Sequence, residues 1–570
     1  MNTAFCFIIS ASLVLSGCVS APLIYSMNGD RHKYWDGSVA KAADTTTSCT
    51  NQLSYLAQHY SQPELMAIGD SLYNGVQSLR INWWLSEWAP PSLVAIRLGL
   101  IEEKNSDRTG DRNFYGPQYY TQDAAPGATQ SYGFNLENIP GLTGLLSAPR
   151  RQAEALKYLA LQYQPPNGRQ MVDNIAFSGA NSSDMFAWKA GDYRRAAIDA
   201  IARAARGADF GALADAFLYA NAYFVLNPTK NTCLDDLSAL DQVELRQPKR
   251  LMINIGSNNG LYRLAFEAAS LDDAACDTKF EDKITVTKRC NAATIREFIT
   301  TRYLADLRQL FLRLSKIPRL ETVYFNNLAL PSQPANLVYD GKNYKSSLFG
   351  TRNVSPSELN NNDEFVHQVN NSVSSLIEQF NQRSGPNFVY VDQSGTLENF
   401  DYKKCVDEKS ADRCNEFRLT ISAKNVLGLT SGRDVKLDNR PFEPGGQSGY
   451  VTGASLSTKT SQGGLFSFDN MHLSTVGYEL MAQTVLANMK DDPLYIPAFR
   501  DGRDTCPNRG EKGFGNAAEG ACAALLTTPG WSYADATRRE FNFLRLGGED
   551  ESKRKEFLRA LLNFVSRFAN

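Results

Sequence analysis

Histidine is scarce in this chain, four in 570 residues, so any chemistry that needs an imidazole is confined to His32, His59, His367 and His472. Beyond the first few residues no stretch approaches the ~20 consecutive apolar residues that a membrane-spanning helix requires. Neither sign of charge dominates: the formal net charge is -2, which excludes a general electrostatic attraction to nucleic acid or to anionic lipid. No two cysteines have the Cys-x-x-Cys spacing of zinc or thioredoxin-type sites, so metal is a poor reading of them and no cofactor is expected. Internal repeats and long low-complexity tracts are also missing. What remains is the composition of a globular protein, 43% hydrophobic and 21% charged, long enough for one large domain with insertions or two to three ordinary ones.

The N-terminus departs from that pattern. Ala4 to Leu15 is almost wholly apolar and has the length of a secretory signal core, although Met1-Asn2-Thr3 carries no Lys or Arg. It runs into Leu15-Ser16-Gly17-Cys18, which resembles a bacterial lipobox. That resemblance implies cleavage before Cys18 and diacylation of its thiol, with an ordinary cleaved signal or an uncleaved anchor as the alternatives. Val19 stands where an aspartate would favour inner-membrane retention, which makes the outer membrane of a bacterial envelope the expected address. Apart from Cys6 and Cys18 there are eight cysteines, an even number that fits an exported protein. Cys276 with Cys290, Cys405 with Cys414, and Cys506 with Cys522 are close in sequence, which leaves Cys49 for Cys233. This is one connectivity among the roughly 105 that eight cysteines permit.

Short apolar runs at Leu65 to Ile68, Val172 to Phe177, Leu251 to Ile255, Glu321 to Leu328 and Phe388 to Val391 read as strands. Between and after them lie helical patterns at Asp192 to Arg206, Phe210 to Val225, Thr294 to Lys316 and Glu364 to Gln382. Alternation of this kind predicts a parallel sheet covered on both sides. Residues 19 to about 60 read as a polar, irregular tether that docks near Cys49. The Gly-, Asn- and Tyr-rich segment 105–138 reads as a long loop, 151–163 as a helix, and 417–464 as an insertion of hairpins. Trp84 and Trp88 share one helical face and serve either as core or as a substrate platform. A last amphipathic helix, Ser552 to Phe568, either docks on the domain or touches a membrane.

The first strand ends in Gly69-Asp70-Ser71-Leu72, which delivers a serine at the C-terminal edge of the sheet, where open α/β sheets place their chemistry. Gly69 permits a sharp turn, and the helix expected next points its amide groups at charge developing beside Ser71. A serine hydroxyl needs a base within hydrogen-bond reach. His472 alone has an aspartate, Asp469, three residues before it, at the mouth of a helix starting near Ser474 or Thr475. His32 falls in the tether, His59 just ahead of the first strand, and His367 inside a helix without a carboxylate arranged on a nearby turn. Two further strands end in glycine turns, Ser178-Gly179-Ala180-Asn181 and Gly256-Ser257-Asn258-Asn259.

These four blocks, in this order, resemble the GDSL or SGNH hydrolase family. The resemblance touches residues 64 to 485 in short blocks separated by long unmatched insertions. It implies a flavodoxin-like three-layer α/β/α sandwich with a central parallel sheet of about five strands. It also implies ester hydrolysis through a Ser71-His472-Asp469 triad and an acyl-enzyme, with an oxyanion hole built from Ser71, Gly179 and Asn258. Asn259 departs from the family's usual aspartate, a residue that supports the loop rather than the oxyanion. No Gly-x-Ser-x-Gly elbow is present, which disfavours the ordinary α/β-hydrolase fold. The expected organisation is a lipoprotein signal at 1–17, a tether at 18–60, the hydrolase domain at 61–490 with insertions near 100–150, 190–245 and 400–464, and an extension at 491–570. Lipid and acylated-glycan esters, the latter making the chain a carbohydrate O-acetylesterase, both remain open as substrates. A non-catalytic surface lipoprotein, an adhesin or assembly factor, is the competing reading. Oligomeric state has no signature in the sequence.

Overall fold

The computed structural model describes residues 47–76, 89–101, 113–117, 170–265 (save 208 and 209), 291–346 and 353–398. It also describes the shorter pieces 80–81, 132–133, 419–422, 434–437, 461–462, 465–466, 471–473 and 475–489, with Ser86, Asp401 and Asn439. Cys18, Asp469, Trp84, Trp88, the six cysteines from Cys276 to Cys522 and the helices expected at 151–163 and 552–568 lie outside the described residues.

Helix α1, Thr47–His59, occupies the end of the expected tether, which is therefore not irregular up to residue 60. Its Leu53 and Leu56, three apart on one face, pack with Met171 and Leu234. The Cys49–Cys233 disulfide fastens it there, as the pairing of the remaining cysteines led one to expect.

Strand β1, Leu65–Gly69, leads into α2, a single turn at Ser71–Asn74. The helix expected after the serine is no longer than this because Gly75 adopts φ +91° and closes it, its N–H bonding to the Ser71 carbonyl. So short an element has almost no macrodipole to offer. Downstream come α3 (Pro90–Arg97), the hairpin of α4 (Ala190–Gly207) and α5 (Phe210–Leu226), and α6 (Ala239–Arg246). Next are β2 (Arg250–Asn254), α7 (Ala292–Phe298), a wide turn at Ile299–Tyr303 and α8 (Leu304–Leu314). The helix expected over 294–316 is thus one rod with a π-type bulge, where Tyr303 sends its hydroxyl to the Ile255 carbonyl, 3.1 Å away. Strand β3 (Thr322–Asn326), α9 (Pro356–Asn381), β4 (Asn387–Val391), α10 (Gln393–Glu398) and α11 (Thr475–Ala487) complete the frame.

The sheet runs β1-β2-β3-β4, all parallel and in register from Leu65 opposite Arg250 to Asn326 opposite Val391. Four strands form where about five were expected. Residues 172–177 do flank β1, with Ile175 N–H on the Ala67 carbonyl (2.8 Å) and Phe177 N–H on Gly69 (3.1 Å), but they qualify only as a bridge at Asn174. The Asn174 side chain competes for backbone, accepting from Ala176 N–H, while Tyr115 takes the amides of 173 and 174.

Alternate residues of the strands, Met66, Ile68, Leu251, Ile253, Val323, Phe325 and Phe388, enter one large core. Helices α4 to α9 complete that core, so the helices of 190–246 are integral to it. On the other side α3 and α11 pack against each other, and α3 also against β1, which gives the three-layer α/β/α arrangement. Gly69 is fixed by space: a Cβ there would sit 2.3 Å from the Asn254 carbonyl oxygen. Beside a two-stranded antiparallel pair that joins 80–81 to 132–133, within the expected 105–138 loop, two three-stranded sheets ornament the frame. One is an antiparallel meander at 337–339, 344–346 and 353–354 that the sequence reading did not include. The other joins 419–422 and 434–437 antiparallel and adds 461–462 parallel, so the expected insertion of hairpins holds in part.

Candidate active site

The described residues of the four blocks named in the sequence meet at the same edge of the sheet. Ser71 is the first residue of α2, half-buried, with Asp70 as its cap. Next to Leu473 of the Phe466–Leu473 bridge that precedes α11, the buried His472 reaches back, and its Nε2 lies 2.9 Å from Ser71 Oγ. Of the other histidines, His32 is outside the described residues and His59 stacks on Tyr55 at the end of α1. His367 is half-exposed on α9 and does face a carboxylate, Glu398 of α10, at 3.5 Å, contrary to the expectation that none is arranged near it.

The two glycine turns meet each other. Gly179 takes φ +76°, a left-handed conformation that any side chain would strain, and the chain then places the Ala180 carbonyl 2.8 Å from Asn258 Nδ2. Asn258 lines the same cleft as Ser71 and His472. That bond fixes the Asn258 amide at the rim of the cleft. Asn259 holds the loop from the other side: its Oδ1 accepts from Ser182 N–H (3.0 Å) and its Nδ2 donates to Ser182 Oγ (2.8 Å). Ser182 Oγ in turn donates to Asp306 of α8 (2.7 Å). Burial pushes the Asp306 carboxyl up to about 6, partly offset by Ser182 and by Arg302.

Asp70 is the residue whose importance the motif carried without its chemistry being read. It is fully buried; Oδ1 accepts from Leu72 N–H (3.1 Å) and Asn254 Nδ2 (2.9 Å). Its Oδ2 makes no hydrogen bond of regular geometry among the described residues, Ser257 lending only weak support. Burial therefore raises its carboxyl to about 6, against the pull of Leu72, Asn254 and the nearby His472.

The family model described as GDSL-like Lipase/Acylhydrolase matches residues 65–485, from the first residue of β1 almost to the end of α11. The chain belongs to that family. No curated protein and no solved structure matches it. This GDSL-like hydrolase is accordingly an enzyme that acts on ester bonds, on an SGNH-type α/β fold. Its cleft, about 690 Å³ with the mouth open to solvent included, is walled mainly by Leu72, Leu261, Leu330, Leu397, Phe466 and Leu473. Among the described residues no helix of the hydrolase is long and apolar enough to cross a membrane. Nor does any cluster of His, Cys, Asp or Glu among them have the arrangement to hold a metal ion.

Proposed function

We propose that this GDSL-like hydrolase is an exported, lipid-anchored serine esterase that cleaves carboxylic esters in two acyl-transfer steps. The observation that carries the reading is the 2.9 Å approach of His472 Nε2 to Ser71 Oγ, within reach for proton transfer. Ser71 Oγ attacks the ester carbonyl carbon as its proton passes to Nε2. The carbonyl π bond opens to an oxyanion that accepts from the backbone N–H of Ser71, the N–H of Gly179 and Asn258 Nδ2. Collapse breaks the C–O bond, and the imidazolium returns its proton to the leaving alkoxide. Water, deprotonated by the same nitrogen, then releases the acid and restores Ser71. Asp469 holds the other ring nitrogen and stabilises the imidazolium. Each oxyanion donor of this type is worth about 3 kcal/mol.

An apolar cleft supports an acyl chain of some length over an acetyl group, and hence a lipid-like ester over an acetylated glycan. The apolar N-terminus and Cys18 support anchoring through lipid on the bacterial envelope. A fluorophosphonate probe tests the chemistry: it should label the wild type at Ser71 and leave Ser71→Ala unlabelled and inactive on a short-chain aryl ester. Turnover retained by Ser71→Ala removes this serine from the mechanism. Mass spectrometry of the N-terminal peptide tests the anchor, which requires a diacylated Cys18.

A further inference from the structure

Apart from Ser71, His472, Asn258 and Ser257, the cleft carries among the described residues one polar side chain, Gln393, the first residue of α10, which is 3% exposed. Its orientation is fixed by a chain of hydrogen bonds that begins on the turn of the nucleophile. The Tyr73 hydroxyl is wholly buried and donates to Asn326 Oδ1 (3.2 Å). That bond sets the Asn326 amide so that Nδ2 donates to Gln393 Oε1 (3.1 Å). The Nε2 end of Gln393 is left over: among the described residues no hydrogen bond engages it, and it is open to the cleft rather than sealed in the wall. An amide held in an apolar wall in this way, with its NH2 open to the cleft, is a recognition group.

Resting on the esterase reading above, we infer that Gln393 is a specificity residue: its Nε2 donates to an uncharged oxygen on the substrate, at a point remote from the scissile carbonyl. Among the described residues no Lys or Arg lines the cleft, and a neutral amide alone is a poor match for a phosphate or carboxylate. The substrate class is therefore an apolar ester that also bears a hydroxyl, carbonyl or second ester oxygen. That oxygen can lie on the acid side, as in a hydroxyacyl chain, or on the alcohol side, as in an acylglycerol.

Two pairs of substrates separate these sources: p-nitrophenyl decanoate against hydroxydecanoates with the hydroxyl at different carbons, and ethyl decanoate against monodecanoylglycerol. In one arm the wild type should prefer the oxygen-bearing member by about tenfold in kcat/KM, the worth of one good hydrogen bond. Gln393→Leu, and independently Gln393→Met, should bring that ratio close to one while kcat/KM on the plain ester stays within about twofold. The rate of fluorophosphonate labelling at Ser71 should not change in either variant. Absence of any preference in the wild type, in both arms, overturns the inference without reference to a variant. An unchanged ratio in the variants overturns it, as does an equal loss on both esters with slowed labelling, which would make Gln393 only part of the wall. Failure of the wild type to label would instead defeat the esterase mechanism itself.

Discussion

His472 Nε2 sits 2.9 Å from the Ser71 hydroxyl although 401 positions separate the two in sequence. The approach is made by two elements that flank one strand end. The turn Ser71–Asn74 leaves β1 directly, and α11 packs beside α3 so that the residues just before it overhang that turn. On the proposed assignment His472→Ala should lower kcat by at least ~10³-fold with KM little changed, and should slow fluorophosphonate labelling in parallel. Steady-state kinetics together with a melting curve check this; near-wild-type turnover would rule the imidazole out as base.

Asp70 gives a pH-dependent prediction. Its folded pKa of about 6 stands above the ordinary 3.8. Between these values the folded protein holds a proton that the unfolded chain has released, so stability contributed here falls as pH rises from about 4 to about 6 and is flat above. Asp70→Asn removes that slope and keeps the cap. It should therefore be more stable than wild type at pH 7, by roughly 1–3 kcal/mol, and equal to it below about pH 4. Urea unfolding across pH measures it. Turnover should drop by roughly threefold to tenfold, because a negative charge near the imidazolium is gone.

The departure from the family pattern at Asn259 is explained by its neighbour. Ser182 Oγ has one proton, and it goes to Asp306 Oδ2; an aspartate at 259 would leave that oxygen without its donor and set a second carboxylate beside the first. Asn259→Asp should cost about 2 kcal/mol at pH 7, and less below pH 6, where Asp306 is protonated. Adding Asp306→Asn should recover most of it, and a double-mutant cycle by denaturant unfolding detects the coupling.

Gly69→Ala should be among the most damaging single substitutions in the chain. The added methyl carbon would meet the Asn254 carbonyl at 2.3 Å, and β1 and β2 cannot part there without breaking the ladder. We expect a loss of more than ~3 kcal/mol or no folded protein, read by circular dichroism and thermal melting.

The frame and the converging groups were legible because short buried strands announce themselves as apolar runs, and the turns after them need glycine at 69, 179 and 256. The Cys49–Cys233 bond followed from subtraction alone. Helix α1 was not legible because only Leu53 and Leu56 mark its inner side, in a segment otherwise polar. The meander at 337–354 has only the turn cue Asp340-Gly341 between Val338-Tyr339 and Tyr344, in strands of two or three residues too short to show an apolar alternation. Gln393 had no local signal at all. What distinguishes it is the Tyr73–Asn326 relay, whose members lie 253 and 67 positions from their partners, and only the fold reveals such a link.

The order of these elements along the chain also matters during synthesis. Ser71 leaves the ribosome early, whereas α11, which carries the approach of His472, is the last described helix, ending at Ala487. A growing polypeptide therefore holds a serine without its base until most of its length has emerged. On the proposed assignment the hydrolase gains its acyl-transfer chemistry only when the chain is nearly complete.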